Sequence, residues 1–285
     1  MGERRVWLVL AAVVAAIGFA YWRMLSSLVQ QWASDDNYSH GFFVLPLAFY
    51  FAWERRRALE AAEVRPALAG AALIALSLGI WLAGTFGAEL FLTRVSLIGV
   101  IAGTIWFLWG WQHLRVLAFP ILFLVLMVPL PAIIFNQIAF PLQLFASQVG
   151  EQAISAVGIP VLRDGNILRL PSRTLEVAEA CSGIRSLVSL VMLAIVLGYF
   201  TERRTGSRIL IAVSAVPIAI LANAARVAGT GIAAEWFSPK AADGFFHTFS
   251  GWLVFIVAFV GLMAVQQAAA RLAARRPRPA EMRVA

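Results

Sequence analysis

The chain has 285 residues, of which 61% are hydrophobic and only 13% charged, and its mean hydropathy is +0.82. So much apolar surface exceeds the needs of a soluble core, and so few charges exclude a long solvated disordered tract, which makes this an integral membrane protein. The net charge of +8 comes from bases clustered beside apolar runs rather than on a stripe interleaved with aromatics, so a nucleic-acid partner is excluded and the positive-inside rule applies instead.

Spanning a bilayer takes roughly 20 apolar residues. Taken in chain order, runs near that length fall at about 6–25, 38–53, 67–86, 91–111, 116–135, 181–200, 209–230 and 247–267. The expected fold is therefore an all-α polytopic membrane protein, a single integral membrane domain over 1–285 with about eight transmembrane helices. The first run follows Glu3, Arg4 and Arg5 like a signal peptide, but its length reads as an uncleaved anchor. The second is short and contains Pro46, so a tilted or kinked helix is expected. With the N-terminus in the cytoplasm, the inner segments carry 15 of the 23 bases, and the net charge is +9 inside against −1 outside. Both termini are then cytoplasmic, with 271–285 as a basic cytoplasmic tail.

The long outer connection, 136–180, has internal order. From Pro141 to Ser155, Gln143, Ser147, Gln148, Glu151, Gln152 and Ser155 recur on one helical face, which predicts an amphipathic helix lying in the interface. Gly158 and Pro160 end it, and Asp164-Gly165 between two β-rich runs predicts a small hairpin, followed by a third extended run from Thr174 to Ala178. Such a segment is either a surface ornament or an extracytoplasmic cap over a site at the outer leaflet.

Three ionisable residues converge on that leaflet. Cys181 is the only cysteine, so the chain makes no internal disulfide and no Cys-rich metal site. A lone cysteine is commonly a small buried hydrophobe. In AEACSGIRS, however, it opens a helix with Ser182 beside it and Arg185 one turn on, a setting that favours thiolate. Arg226 lies in an otherwise apolar run with Asn223 three residues earlier, where a guanidinium is either a snorkelling anchor or a buried anion stabiliser. His247 opens the eighth run, and on the alternating topology all three fall at one depth. A thiol, an arginine and an imidazole are the parts of an acyl-transfer site. His40, in DDNYSHG beside Asp35 and Asp36, is a further candidate at the same level, whereas His113 falls on the inner side.

NYSHGFFVLPLAFYFAWERR, PLP before the Gln-rich helix, GIPVLRDGNILRLP, VAEACSGIRSL, NAAR and HTFSG occur in this order between about residues 30 and 265. Together they resemble the exosortase/archaeosortase family of membrane transpeptidases. The resemblance implies a catalytic Cys181, Arg226 and His247 at the outer face of a bacterial inner membrane, with no cofactor and no metal. It also implies substrates among exported proteins with a C-terminal sorting signal: a Pro-Glu-Pro motif, a transmembrane helix and a basic tail. Such a substrate would reach the site through membrane lipid. The readings that compete with a thiol enzyme are a transporter or channel for an envelope-related solute and a non-catalytic scaffold for exopolysaccharide assembly.

Overall fold

The computed structural model describes residues 3–177, 184–237 and 244–274. The chain divides into two compact units, 1–132 and 133–285.

In the first unit, α1 (Glu3–Ala20) and α2 (Trp22–Ser34) are separated only at Tyr21 and are followed by α3 (Gly41–Glu54) and the short α4 (Arg56–Ala61). Then come α5 (Leu68–Phe86), α6 (Leu90–Trp109) and α7 (Trp111–Phe123), which tightens into a 3-10 turn over Leu124–Met127. The α5–α6 pair is built on small residues. The buried positions of α5 are Gly70, Ser77 and Gly84, seven residues apart, and they face Gly103, Gly99 and Thr93 of α6. Lipid gives helices no hydrophobic reason to associate, so backbone approach through such a stripe is what draws them together. A methyl at Gly70 would collide with the backbone of Phe107.

The break after Met127 frees carbonyls at the end of α7, and side chains from elsewhere in the unit satisfy them. Trp32 Nε1 donates to the Met127 carbonyl at 3.0 Å, and His40 Nε2 to that of Leu126 at 3.0 Å. Gly41 lets the Trp32 ring lie against the start of α3, since a Cβ there would overlap it.

The second unit opens with α8 (Ala132–Ala156), continues through β1 (Leu162–Asp164), β2 (Ile167–Arg169) and β3 (Thr174–Glu176), and closes with α9 (Ile184–Thr201), α10 (Thr205–Trp236) and α11 (Gly244–Ala274). Helices α9, α10 and α11 pack on one another around Leu190, Ala194, Ile211, Ala215, Ala219, Ala258 and Leu262. At the α9–α10 turn, Arg208 donates to the Glu202 carbonyl and stacks on Tyr199, while Gln266 of α11 donates to the Glu202 carboxylate. The antiparallel sheet, in order β1-β2-β3, packs Leu168, Leu170 and Val177 on Ala146 and Ile154 of α8 and Val227 of α10.

Among the described residues six helical segments are long and apolar enough to cross a membrane, and three shorter apolar helices accompany them. This agrees with the polytopic all-α reading, and the differences are local. The expected fifth run over 116–135 is divided before Pro129 and Pro131, so 132–135 belong to α8. Helix α8 carries Pro141 in its interior and incorporates the expected amphipathic helix of 141–155 within 25 residues that suffice to cross. The hairpin turn is Gly165-Asn166 rather than Asp164-Gly165, because Asp164 pairs with Ile167. Gly165 takes φ +61° at the first turn position, as a type II′ turn requires. Helix α10 outruns its expected 209–230 at both ends, and its 32 residues extend for about 48 Å.

The glycine stripe yields a paired prediction. Gly70→Ala must separate α5 from α6 and should destabilise the protein by about 1–3 kcal/mol. Gly79→Ala, on the same helix where nothing lies within 4 Å of the new methyl, should be neutral or stabilising by up to about 1 kcal/mol. Thermal unfolding in detergent measures both, and equal effects would refute the close approach.

Candidate active site

Helix α10 changes partners along its length. Ile211, Ala215 and Ala219 face α9 and α11, whereas Val227 joins the sheet and α8. Close approach makes the second contact possible: a methyl at Gly150 of α8 would press on Val227, and one at Gly231 of α10 on Ile154. Arg226 and buried Asn223 stand at the changeover. Ten residues of helix follow Arg226, through Trp236, about 15 Å of rise, so its position is well inside α10.

The half-buried Arg226 side chain rests on α11. Its Nη2, Cζ and Nη1 lie 3.4, 3.5 and 3.8 Å from the place a Cβ would occupy on Gly251. Gly251 is four residues after His247 in one helix, and residues so spaced share a face. The absence of a side chain at Gly251 thus gives the guanidinium a seat one turn from His247. Arg226 and Asn223 both have further partners within the fold.

The sheet is tied to α8 and α10 by a set of polar contacts. Asn166 joins its backbone carbonyl to the Val177 N–H at 2.9 Å and its side-chain amide to the Val177 carbonyl at 3.2 Å. The same amide reaches Gln143 Oε1 of α8 at 3.5 Å, and Ser147 of α8 donates to the Gly165 carbonyl at 2.9 Å. Arg163 pairs with Glu151 at 2.8 Å, and Ser172 donates from N–H and hydroxyl to Glu235 at the end of α10. Val177, only 2% exposed, is thereby fixed four residues before Cys181.

Cys181 and Ser182 lie outside the described residues, and His247 is described as part of α11 without its side chain. Arg185 is the second residue of α9, exposed but with partners in the fold. His40 belongs to the first unit, where it is 6% exposed and occupied by the Leu126 carbonyl. Sequence reasoning assigned no site role to Gly251 or Asn166, although HTFSG and GIPVLRDGNILRLP contain them, and read Gln143 only as part of the polar face of its helix. In the first unit Arg94 is 3% exposed, and its Nε and Nη2 have no hydrogen-bond partner among the described residues.

His40 lies in the turn between α2 and α3, outside the spans, and its environment implies a pH dependence. Burial holds the imidazole below its ordinary value, partly offset by backbone bonds to Leu126 and Asn37. The unfolded chain therefore takes up this proton at higher pH than the folded one, and the fold should lose stability as pH drops below about 6.5. His40→Gln keeps an N–H for Leu126 and should flatten that part of the profile. Thermal unfolding between pH 7.5 and 5 tests this, and an unchanged slope in the variant would contradict it.

Comparison with curated proteins and with solved structures gives no match. The profile of the transmembrane exosortases matches residues 32–264, which include the Cys181 segment, Arg226, His247 and Gly251. Covering most of the sequence, that match extends through both units, and the chain belongs to the transmembrane exosortase family.

Proposed function

We propose that the protein is a membrane-embedded cysteine peptidase and transpeptidase. It cleaves the C-terminal sorting signal of exported proteins, of the Pro-Glu-Pro, transmembrane-helix and basic-tail type, at the periplasmic face of the bacterial inner membrane. The observation that carries this reading is the seat of Arg226 on Gly251, one helical turn from His247. Family membership and the clamped strand leading to Cys181 support it further.

In the proposed reaction the Cys181 thiolate attacks the scissile carbonyl, and Arg226 stabilises the oxyanion with a charge that requires no proton movement. Collapse of the tetrahedral adduct breaks the C–N bond, His247 donates a proton to the departing amine, and a thioester remains on Cys181. An amine, a hydroxyl or water then takes the acyl group and restores the thiol. Asn223, Ser182 and Arg185 are supporting candidates, and the clustering of basic residues supports a cytoplasmic location for both termini.

Two substitutions test the assignment on a membrane-anchored reporter carrying such a signal. Cys181→Ala should accumulate normally and leave the reporter uncut; unchanged processing would end the cysteine-enzyme reading. Arg226→Lys preserves charge but loses the planar pair of donors, and processing should fall on the order of 10²- to 10³-fold at normal protein levels. Near-normal processing by Arg226→Lys would remove Arg226 from the chemistry.

A further inference from the structure

The β-sheet ends in an edge whose polar groups point in one direction. Leu170 N–H bonds to the Arg173 carbonyl and Val177 N–H to the Asn166 carbonyl. These bonds fix the alternation between β2 and β3: positions 173, 175 and 177 direct their backbone groups toward β2, and positions 174 and 176 direct theirs away. Thr174 and Glu176 therefore present N–H and C=O groups on the side of β3 that has no neighbouring strand among the described residues. Both residues are exposed.

This edge is rigid before anything binds it. Leu175 packs against the cluster of Leu168, Ile154 and Val227, Val177 is held by Asn166, and the preceding turn is tied to Glu235 through Ser172. A strand fixed in this way can pair with an extended chain without first losing conformational freedom. Its direction also matters, because Cys181 follows Glu176 by five residues, a reach of at most about 18 Å of extended backbone. A peptide bond attacked by a thiolate must be drawn out of any helix so that its carbonyl is accessible, and an extended chain on β3 meets that need.

Resting on the cysteine-peptidase reading, we infer that β3 is the docking strand for the substrate: an extended segment of the membrane-anchored protein pairs with the backbone of Thr174 and Glu176 and is thereby led to Cys181. The occupant's chemistry follows from the edge. Alternate residues must offer an N–H to β3, so proline fits only at the intervening positions, where its nitrogen faces away. The residue opposite Glu176 sits beside a carboxylate and is basic or neutral rather than acidic. Arg169 and Arg173 give the opposite end of the strand a positive character.

Enzyme variants and a substrate scan test this together, with the reporter that the wild-type protein cuts. In the enzyme, Thr174→Pro removes a donor that points away from β2 and leaves the β2–β3 bonds in place, so it should accumulate normally and process the reporter on the order of fivefold more slowly. In the reporter, proline placed at successive positions ahead of its transmembrane helix should impair cutting at every second position. Damage to the enzyme alone cannot create that alternation. Glu176→Lys should reverse the preference at one reporter position from basic to acidic. Uniform tolerance of proline, or sensitivity without a period of two, overturns the docking strand whatever Thr174→Pro does. Cys181→Ala, run in parallel, separates the two claims: if it abolishes cutting while the scan shows no alternation, only the docking inference fails.

Discussion

Arg226 imposes the constraint around which the second unit is arranged. A guanidinium within a membrane helix costs several kcal/mol unless the fold gives it partners or water, and it cannot shed its charge as a lysine can. Here it falls where α10 leaves the α9–α11 cluster and begins to pack on α8 and the sheet. Two close-packed helices would leave no room for it at that level. Gly251 supplies the room on α11, and Gly150 and Gly231 let α8 and α10 close again beyond it.

The hairpin follows from the same arrangement. A loop that merely joined α8 to α9 would have no reason to bury Leu168, Leu170 and Val177, or to bond Gly165 to Ser147 and Asn166 to Gln143 across 18 and 23 residues of sequence. These contacts hold the strand that precedes the cysteine segment against the helix that carries Arg226. In the first unit, the α5–α6 stripe and the Trp32 and His40 bonds to the end of α7 hold the helices together, and Gly41 makes room for the Trp32 ring.

The sequence made most of this architecture legible because lipid leaves so few solutions: apolar runs of the right length, with bases at alternate ends, define helices and their order. It was less informative where tertiary packing decided. Pro141 looked like a helix start, but the break lies at Pro129 and Pro131, and a proline inside α8 is tolerated. Asp164-Gly165 looked like the turn, yet the pairing of Asp164 with Ile167 shifts it by one residue. At the site, Arg226 was legible because a charge within an apolar run is costly wherever it falls. Gly251 was not, since a glycine's role as a seat is visible only when the side chain resting on it is placed. Arg94 escaped for a similar reason: nothing in its local sequence distinguishes a buried arginine from one at a helix end.

The central claim is that Cys181 becomes acylated in a site completed by Arg226 and His247. Intact-mass analysis of the detergent-solubilised enzyme, quenched in acid during turnover of a membrane-anchored substrate, tests it most directly. The account predicts an added mass equal to the N-terminal substrate fragment, mapped to Cys181 and released by hydroxylamine as a thioester must be. Substrate that is cut while Cys181 remains unmodified at every time point, or an adduct on another residue, would contradict it.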